Sequence, residues 1–143
     1  MVPADYLISA LATLMWNEPK DDHLQGMVAC GLVVRNRKIA GWSGGDWLEI
    51  IRNHDKYSAN PTDALRHLKF GDPNRDDVFR RCLAKAEQIY NGNERDITAD
   101  PEGKGSLWYG RLDQCSDWFK ENIVRNPQDH PMIATIGIQK FFR

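Results

Sequence analysis

The chain is poor in several features, and each shortage removes a class of function. No apolar run approaches the length of a membrane-crossing helix. Lys and Arg are scattered and the formal net charge is −1, so the basic footprint needed for nucleic-acid binding is missing. The opening MVPADYLISA has no basic stretch ahead of an apolar one, which is not the pattern of a secretory signal; synthesis in the cytoplasm is expected. The three cysteines, Cys30, Cys82 and Cys115, have no CxxC spacing and read as buried free thiols rather than a disulfide or metal site. His23, His54, His67 and His130 form no HExxH or paired Cys/His pattern, and no glycine-rich phosphate loop follows a strand. No metal and no cofactor are therefore expected. A cysteine nucleophile would need an accessible, electropositive site, whereas Cys30 lies in the most apolar stretch and Cys115 has no motif around it.

What is present is an ordinary globular composition, 41% hydrophobic and 27% charged over 143 residues, enough for a single domain with a real core. Periodicity predicts a first helix from about Ala4 to Asn17 or Glu18, with Pro3 suited to its start. Asp22 and Gln25 read as a capping box for a second helix, about His23 to Lys38. That helix is apolar all round from Met27 to Val34, so it should be the buried centre, and Gly26 and Gly31 should each admit a close neighbour. Asp46 should cap a short helix, Trp47 to Arg52, and another short helix is expected within Pro61 to Leu68. Val78, Phe79, Cys82, Leu83, Ala86, Ile89 and Tyr90 form the apolar stripe of a helix from about Asp76 to Asn91, with Gly92 as its stop. Residues 93–105 read as a surface loop bordering the substrate, 106–109 as a strand, 116–122 as a short helix, and 133–142 as a closing strand paired with 106–109. The fold class expected is α+β: one mainly helical domain with a small antiparallel β element.

Glu18 stands out within this pattern. At about 100° per residue it continues the stripe of Leu7, Leu11 and Leu14. A carboxyl group there points toward the core or a cleft, where desolvation disfavours its charged form. Pro19 ends the helix, so Glu18 also meets the negative end of the macrodipole. Both effects suit a general acid. The bland alternative is a frayed, solvated helix end.

Trp16-Asn17-Glu18-Pro19-Lys20-Asp21-Asp22, then Gly26, the apolar run Met27 to Val34 and Asn36-Arg37, resembles the opening motif of the SleB-like cell wall hydrolases. In that family the motif reads aromatic–Gly–Glu–Ala–Arg–Gly–Glu, then a glycine, a long apolar helix and Asn-Arg. The resemblance continues through Ile50 to Ser58, Gly105 to Tyr109, Ile136-Gly137 and Phe141-Phe142. The chain departs from the pattern at Asn17, Pro19 and Asp21, at Asp22 in place of a second glutamate, at Trp108 in place of a histidine, and at Ile138-Gln139 in place of Asn-His.

The resemblance implies a lysozyme-like, lytic-transglycosylase-like fold, with Glu18 as catalytic acid/base against peptidoglycan glycan strands. Such polyols call for aromatic faces and amide-type hydrogen bonds. Trp16, Tyr57, Trp108 and Tyr109 are the aromatics in motif-matching positions, and Ser58 and Gln139 the polar residues; core packing is the alternative for each aromatic. Trp16 has a third possibility, walling Glu18 from water. Trp42, Trp47 and Trp118 read as core or loop anchors. Asp22 is either a cap or the second carboxylate of a hydrolytic route. The expected activity is cleavage of the N-acetylmuramic acid–N-acetylglucosamine bond by a monomeric, endolysin-like enzyme. It would reach the wall through a holin-type lesion or on a virion. The alternatives are a non-catalytic peptidoglycan-binding or virion structural module on the same fold, and an N-acetylmuramoyl-L-alanine amidase.

Overall fold

The computed structural model describes residues 2–18, 23–58 and 61–143, with the backbone alone of His67. It is an α+β arrangement whose centre is the second helix. Helix α1 spans Ala4–Trp16 and α2 spans Leu24–Ile39. After a short 3-10 turn at Trp42–Gly45 come α3, Trp47–Arg52, and α4, Ala64–His67. Helix α5 covers Asp77–Tyr90. Then follow strand β1 (Trp108–Gly110), helix α6 (Asp117–Phe119) running on into a π-type turn at Lys120–Val124, and strands β2 (Met132–Ile136) and β3 (Gln139–Phe142).

Every residue of α2 from Gly26 to Val34 is buried, as an apolar run without a polar face must be. Helices α1, α3 and α5 pack around it, and β1 and β2 lie against it. Gly31 makes the contact with two of these helices possible. A Cβ there would stand 2.7 Å from Met15 Sδ and 2.9 Å from Ile89 Cδ1. Helices α3 and α5 begin where their caps dictate: Asp46 accepts from Leu48 and Glu49 N–H, and Asp76 from Phe79 N–H. Gly92, at φ +78°, stops α5.

Several expectations are corrected. Helix α1 ends at Trp16, and Asn17 caps it by donating from Nδ2 to Thr13 O at 2.7 Å. The cap expected of Asp22 lies outside the described residues; His23 occupies the N-cap of α2 without a side-chain bond. Val78 is 44% exposed, so the stripe of α5 is narrower than its apolar letters suggest. The closing strand is a hairpin: Gly137 at φ +59° turns the chain between β2 and β3. The sheet order is β1-β3-β2, with Tyr109 opposite Phe141. The 93–105 loop does not line the cleft at Glu18. It closes over the end of α2, where Asn36 Nδ2 donates to Asp96 Oδ2 at 2.9 Å and to Ser106 O at 3.0 Å.

Gly105 sits against this junction so tightly that a Cβ would lie 2.2 Å from both Asn36 Nδ2 and Asp96 Oδ2. Gly105→Ala must break the junction and is expected to cost about 3 kcal/mol, from overpacking plus lost buried hydrogen bonds. Chemical denaturation of the variant measures it, and an unchanged midpoint would contradict the packing.

Candidate active site

Glu18 lies just beyond α1, its N–H donating to Met15 O at 3.2 Å. The leucine stripe carries it inward: its side chain is only 13% exposed. Tyr109 Oη donates to Glu18 Oε1. His54 Nε2 lies 2.5 Å from the same Tyr109 oxygen and 3.6 Å from Glu18 Oε1. A tyrosine hydroxyl has one proton to give. With that proton directed at the carboxyl group, the Tyr109 oxygen accepts from His54 Nε2–H. The result is a chain from imidazole to phenol to carboxyl group. His54 Nδ1 is then buried without a described partner.

Each member arrives from a different element: Glu18 from the end of α1, His54 from the turn after α3, Tyr109 from β1 at the edge of the sheet. Tyr109 is steadied by stacking on Phe141 across the β1–β3 pair, ring centroids 5.5 Å apart. Desolvation pushes the Tyr109 hydroxyl well above its ordinary pKa, and the neighbouring Cys30 and Glu18 push it further. The phenol therefore stays protonated and keeps donating across the neutral range.

These residues open into a cleft of about 240 Å³. It is lined by Glu18, Tyr57, Ser58, Trp108, Tyr109 and Gln139, all singled out in the sequence. Two others singled out are elsewhere. Trp16 packs edge-on against Phe79 of α5, ring centroids 5.4 Å apart, on the core side of α1, so it does not wall Glu18. Asp22 lies outside the described residues. Trp108 is mostly buried, at 8% exposure, packed among Trp42, Tyr57 and Trp118. Trp47 packs on Tyr90, as an anchor would. Trp118 is no core anchor: it is 41% exposed and stacks on Tyr57.

The cleft also holds residues that the sequence does not mark as site residues: Arg37, His54, Asp55 and Arg111, with Cys115, which it raises only as a nucleophile. Asp55 is its second carboxylate. Arg37 comes from the last turn of α2 and is 5% exposed. Its Nε donates to Leu107 O at 2.7 Å, and its guanidinium lies 4.6 Å from the Trp42 ring centroid and 5.3 Å from that of Trp108. Burial draws its pKa down from 12.5 to about 10, still fully charged at neutral pH. A charged residue closing an otherwise apolar helix was the signal available for it. His54 and Asp55 fall within the Ile50 to Ser58 stretch of the resemblance, but nothing in their own spacing marked them.

Cys30, Cys82 and Cys115 are in no disulfide; the first two are buried and Cys115 is partly buried. No helix among the described residues is long and apolar enough to cross a membrane. Compared with protein-family models, curated proteins and solved structures, the chain matches none of them.

Tyrosine titration tests the carboxyl–phenol pair. Tyr109 has its pKa raised in the fold, so the stability it lends is present below the ordinary tyrosine pKa and is lost as pH climbs toward the folded value. Of the four tyrosines, ultraviolet absorption should show Tyr109 silent where an ordinary tyrosine titrates while the chain stays folded, and released on unfolding. Tyr109→Phe should remove that delayed step. A folded wild type that ionises Tyr109 at the ordinary tyrosine pKa would contradict the arrangement.

Proposed function

We propose that the protein cleaves the glycosidic bond between N-acetylmuramic acid and N-acetylglucosamine in peptidoglycan, as a lytic transglycosylase with Glu18 as acid and then base. The observation that supports this best is the state of one carboxyl group. Glu18 is sheltered in the cleft with Oε1 held by Tyr109, leaving Oε2 as the oxygen that exchanges a proton with substrate. A helix end presenting its acid across a cleft from a small antiparallel sheet also supports a lysozyme-like fold.

In the first half-reaction Glu18 gives its proton to the leaving glycosidic oxygen as the C1–O bond breaks, and an oxocarbenium-like centre forms. In the second, the Glu18 carboxylate takes the proton of the muramic acid 6-hydroxyl as that oxygen bonds to C1, closing a 1,6-anhydro ring. The acid is regenerated and no water is consumed. Tyr109 holds the carboxyl group in position, and His54 behind it holds the phenol. The aromatic and amide groups of Tyr57, Trp108 and Gln139 suit sugar rings and acetamido groups. If Asp55 instead activates a water, the outcome is hydrolysis. On this reading the place of action is the cell wall, reached through a holin-type lesion or on a virion.

Purified peptidoglycan treated with the wild type should release 1,6-anhydro-muropeptides, identified by mass spectrometry. Glu18→Gln should lower the rate about 10²- to 10⁴-fold, the usual share of a general acid/base. Tyr109→Phe should lower it about 10- to 100-fold through misplacement of the carboxyl group. Reducing-end muramic acid would point to hydrolysis through Asp55. Free stem peptides, or equal release by Glu18→Gln, would overturn the proposal.

A further inference from the structure

Arg37 carries more than its structural task requires. One N–H, from Nε to Leu107 O, ties the end of α2 to the segment entering β1. A neutral donor would serve that purpose. The guanidinium adds a full charge and four further N–H groups at a place that is 5% exposed. Among the described residues it enters no ion pair, and its Nη groups donate to no acceptor. Two indole faces ease the charge, yet taking a cation out of water costs several kcal/mol that such contacts offset only in part. An unpaired buried cation on a cleft wall is the ordinary preparation for an anion. Gln139 has a surplus of the opposite kind. It is 3% exposed and lines the same cleft, with Oε1, an acceptor, buried and unmatched.

We infer that Arg37 forms a carboxylate subsite in the cleft beside Glu18, filled by an acidic group carried on the glycan, with Gln139 Oε1 accepting from an amide N–H or hydroxyl of the same sugar. Two sources have this chemistry: the lactyl carboxylate of a muramic acid stripped of its stem peptide, and a free carboxylate of an attached stem peptide. Planar guanidinium and planar carboxylate match two N–H groups to two oxygens, which a neutral hydroxyl of the sugar does not. The subsite would seat the muramic acid residue and reject N-acetylglucosamine in its place, fixing which of the two alternating bonds meets Glu18. That consequence rests on the glycosidase reading; the anion subsite itself does not.

Binding, read without turnover, keeps the two apart. The full chain is titrated by NMR at low salt with N-acetylmuramic acid, its lactyl methylamide and N-acetylglucosamine. The acid is expected to bind at least tenfold more tightly than either neutral sugar, with the advantage shrinking at high salt and lost in Arg37→Gln. Equal binding of acid and methylamide by the wild type would overturn the subsite, and so would an advantage that survives Arg37→Gln. The methylamide comparison needs no variant, so it decides the matter even if Arg37→Gln fails to fold. Competition between peptide-free and peptide-bearing strands then assigns the source: tighter binding of the former names the lactyl group, of the latter the stem peptide. A chain that binds the acid through Arg37 yet releases no fragments retains the subsite and loses the glycosidase. One that cleaves strands but treats acid and methylamide alike does the reverse.

Discussion

The hydrogen bond from Tyr109 to Glu18 joins residues 91 positions apart and fixes where the helical part of the molecule meets its small sheet. It gives the carboxyl group beyond α1 a partner in its sheltered place. Its strength depends on both partners being held: Glu18 by the inward phase of the leucine stripe, Tyr109 by stacking on Phe141 in the β1–β3 pair. Because Tyr109 is kept protonated by its surroundings, the bond has one direction, phenol to carboxyl group. The imidazole of His54 meets the phenol oxygen on its far side, while its own Nδ1 stays buried without a described partner.

The same economy operates at the end of α2. Asn36 and Arg37 are adjacent and look in different directions. Asn36 gathers Asp96, Thr98 and Ser106 into a buried knot that delivers the chain to β1. Arg37 holds Leu107, the next residue along that path, and turns its charge toward the cleft between two indoles. The pair thus builds the wall on which Trp108 and Tyr109 stand. The core under it is set by close approach at Gly31, so a helix with two glycines is compatible with a rigid centre.

Much of this was legible in the sequence, for identifiable reasons. The apolar run of α2, the aspartate caps of α3 and α5 and the glycine stop after α5 are local signals, and the chain obeys them within a residue or two. The phase of Glu18 with Leu7, Leu11 and Leu14 points inward, and its side chain is sheltered although it lies one residue beyond the cap of α1. The hairpin was hidden because Ile136-Gly137-Ile138 is as apolar as the strands it joins, and only the positive φ of Gly137 reveals the turn. Trp16 was drawn to the cleft by its nearness to Glu18 in sequence, although two residues on a helix turn about 200° apart and the ring faces α5 instead. His54 and Asp55 lie within the Ile50 to Ser58 stretch of the resemblance, yet their meeting with Glu18 and Tyr109, like the arrival of Arg111 in the cleft, is set by tertiary contacts.

The most direct measurement is a crystal structure of the Glu18→Gln variant with a bound glycan tetramer. The oxygen of an N-acetylmuramic acid–N-acetylglucosamine linkage should lie within about 3 Å of the side chain at position 18, with Tyr109 still donating to that side chain. A tetramer seated away from this cleft, or one whose linkage oxygens all lie beyond hydrogen-bond reach of position 18, would contradict the assignment of Glu18 as the acid.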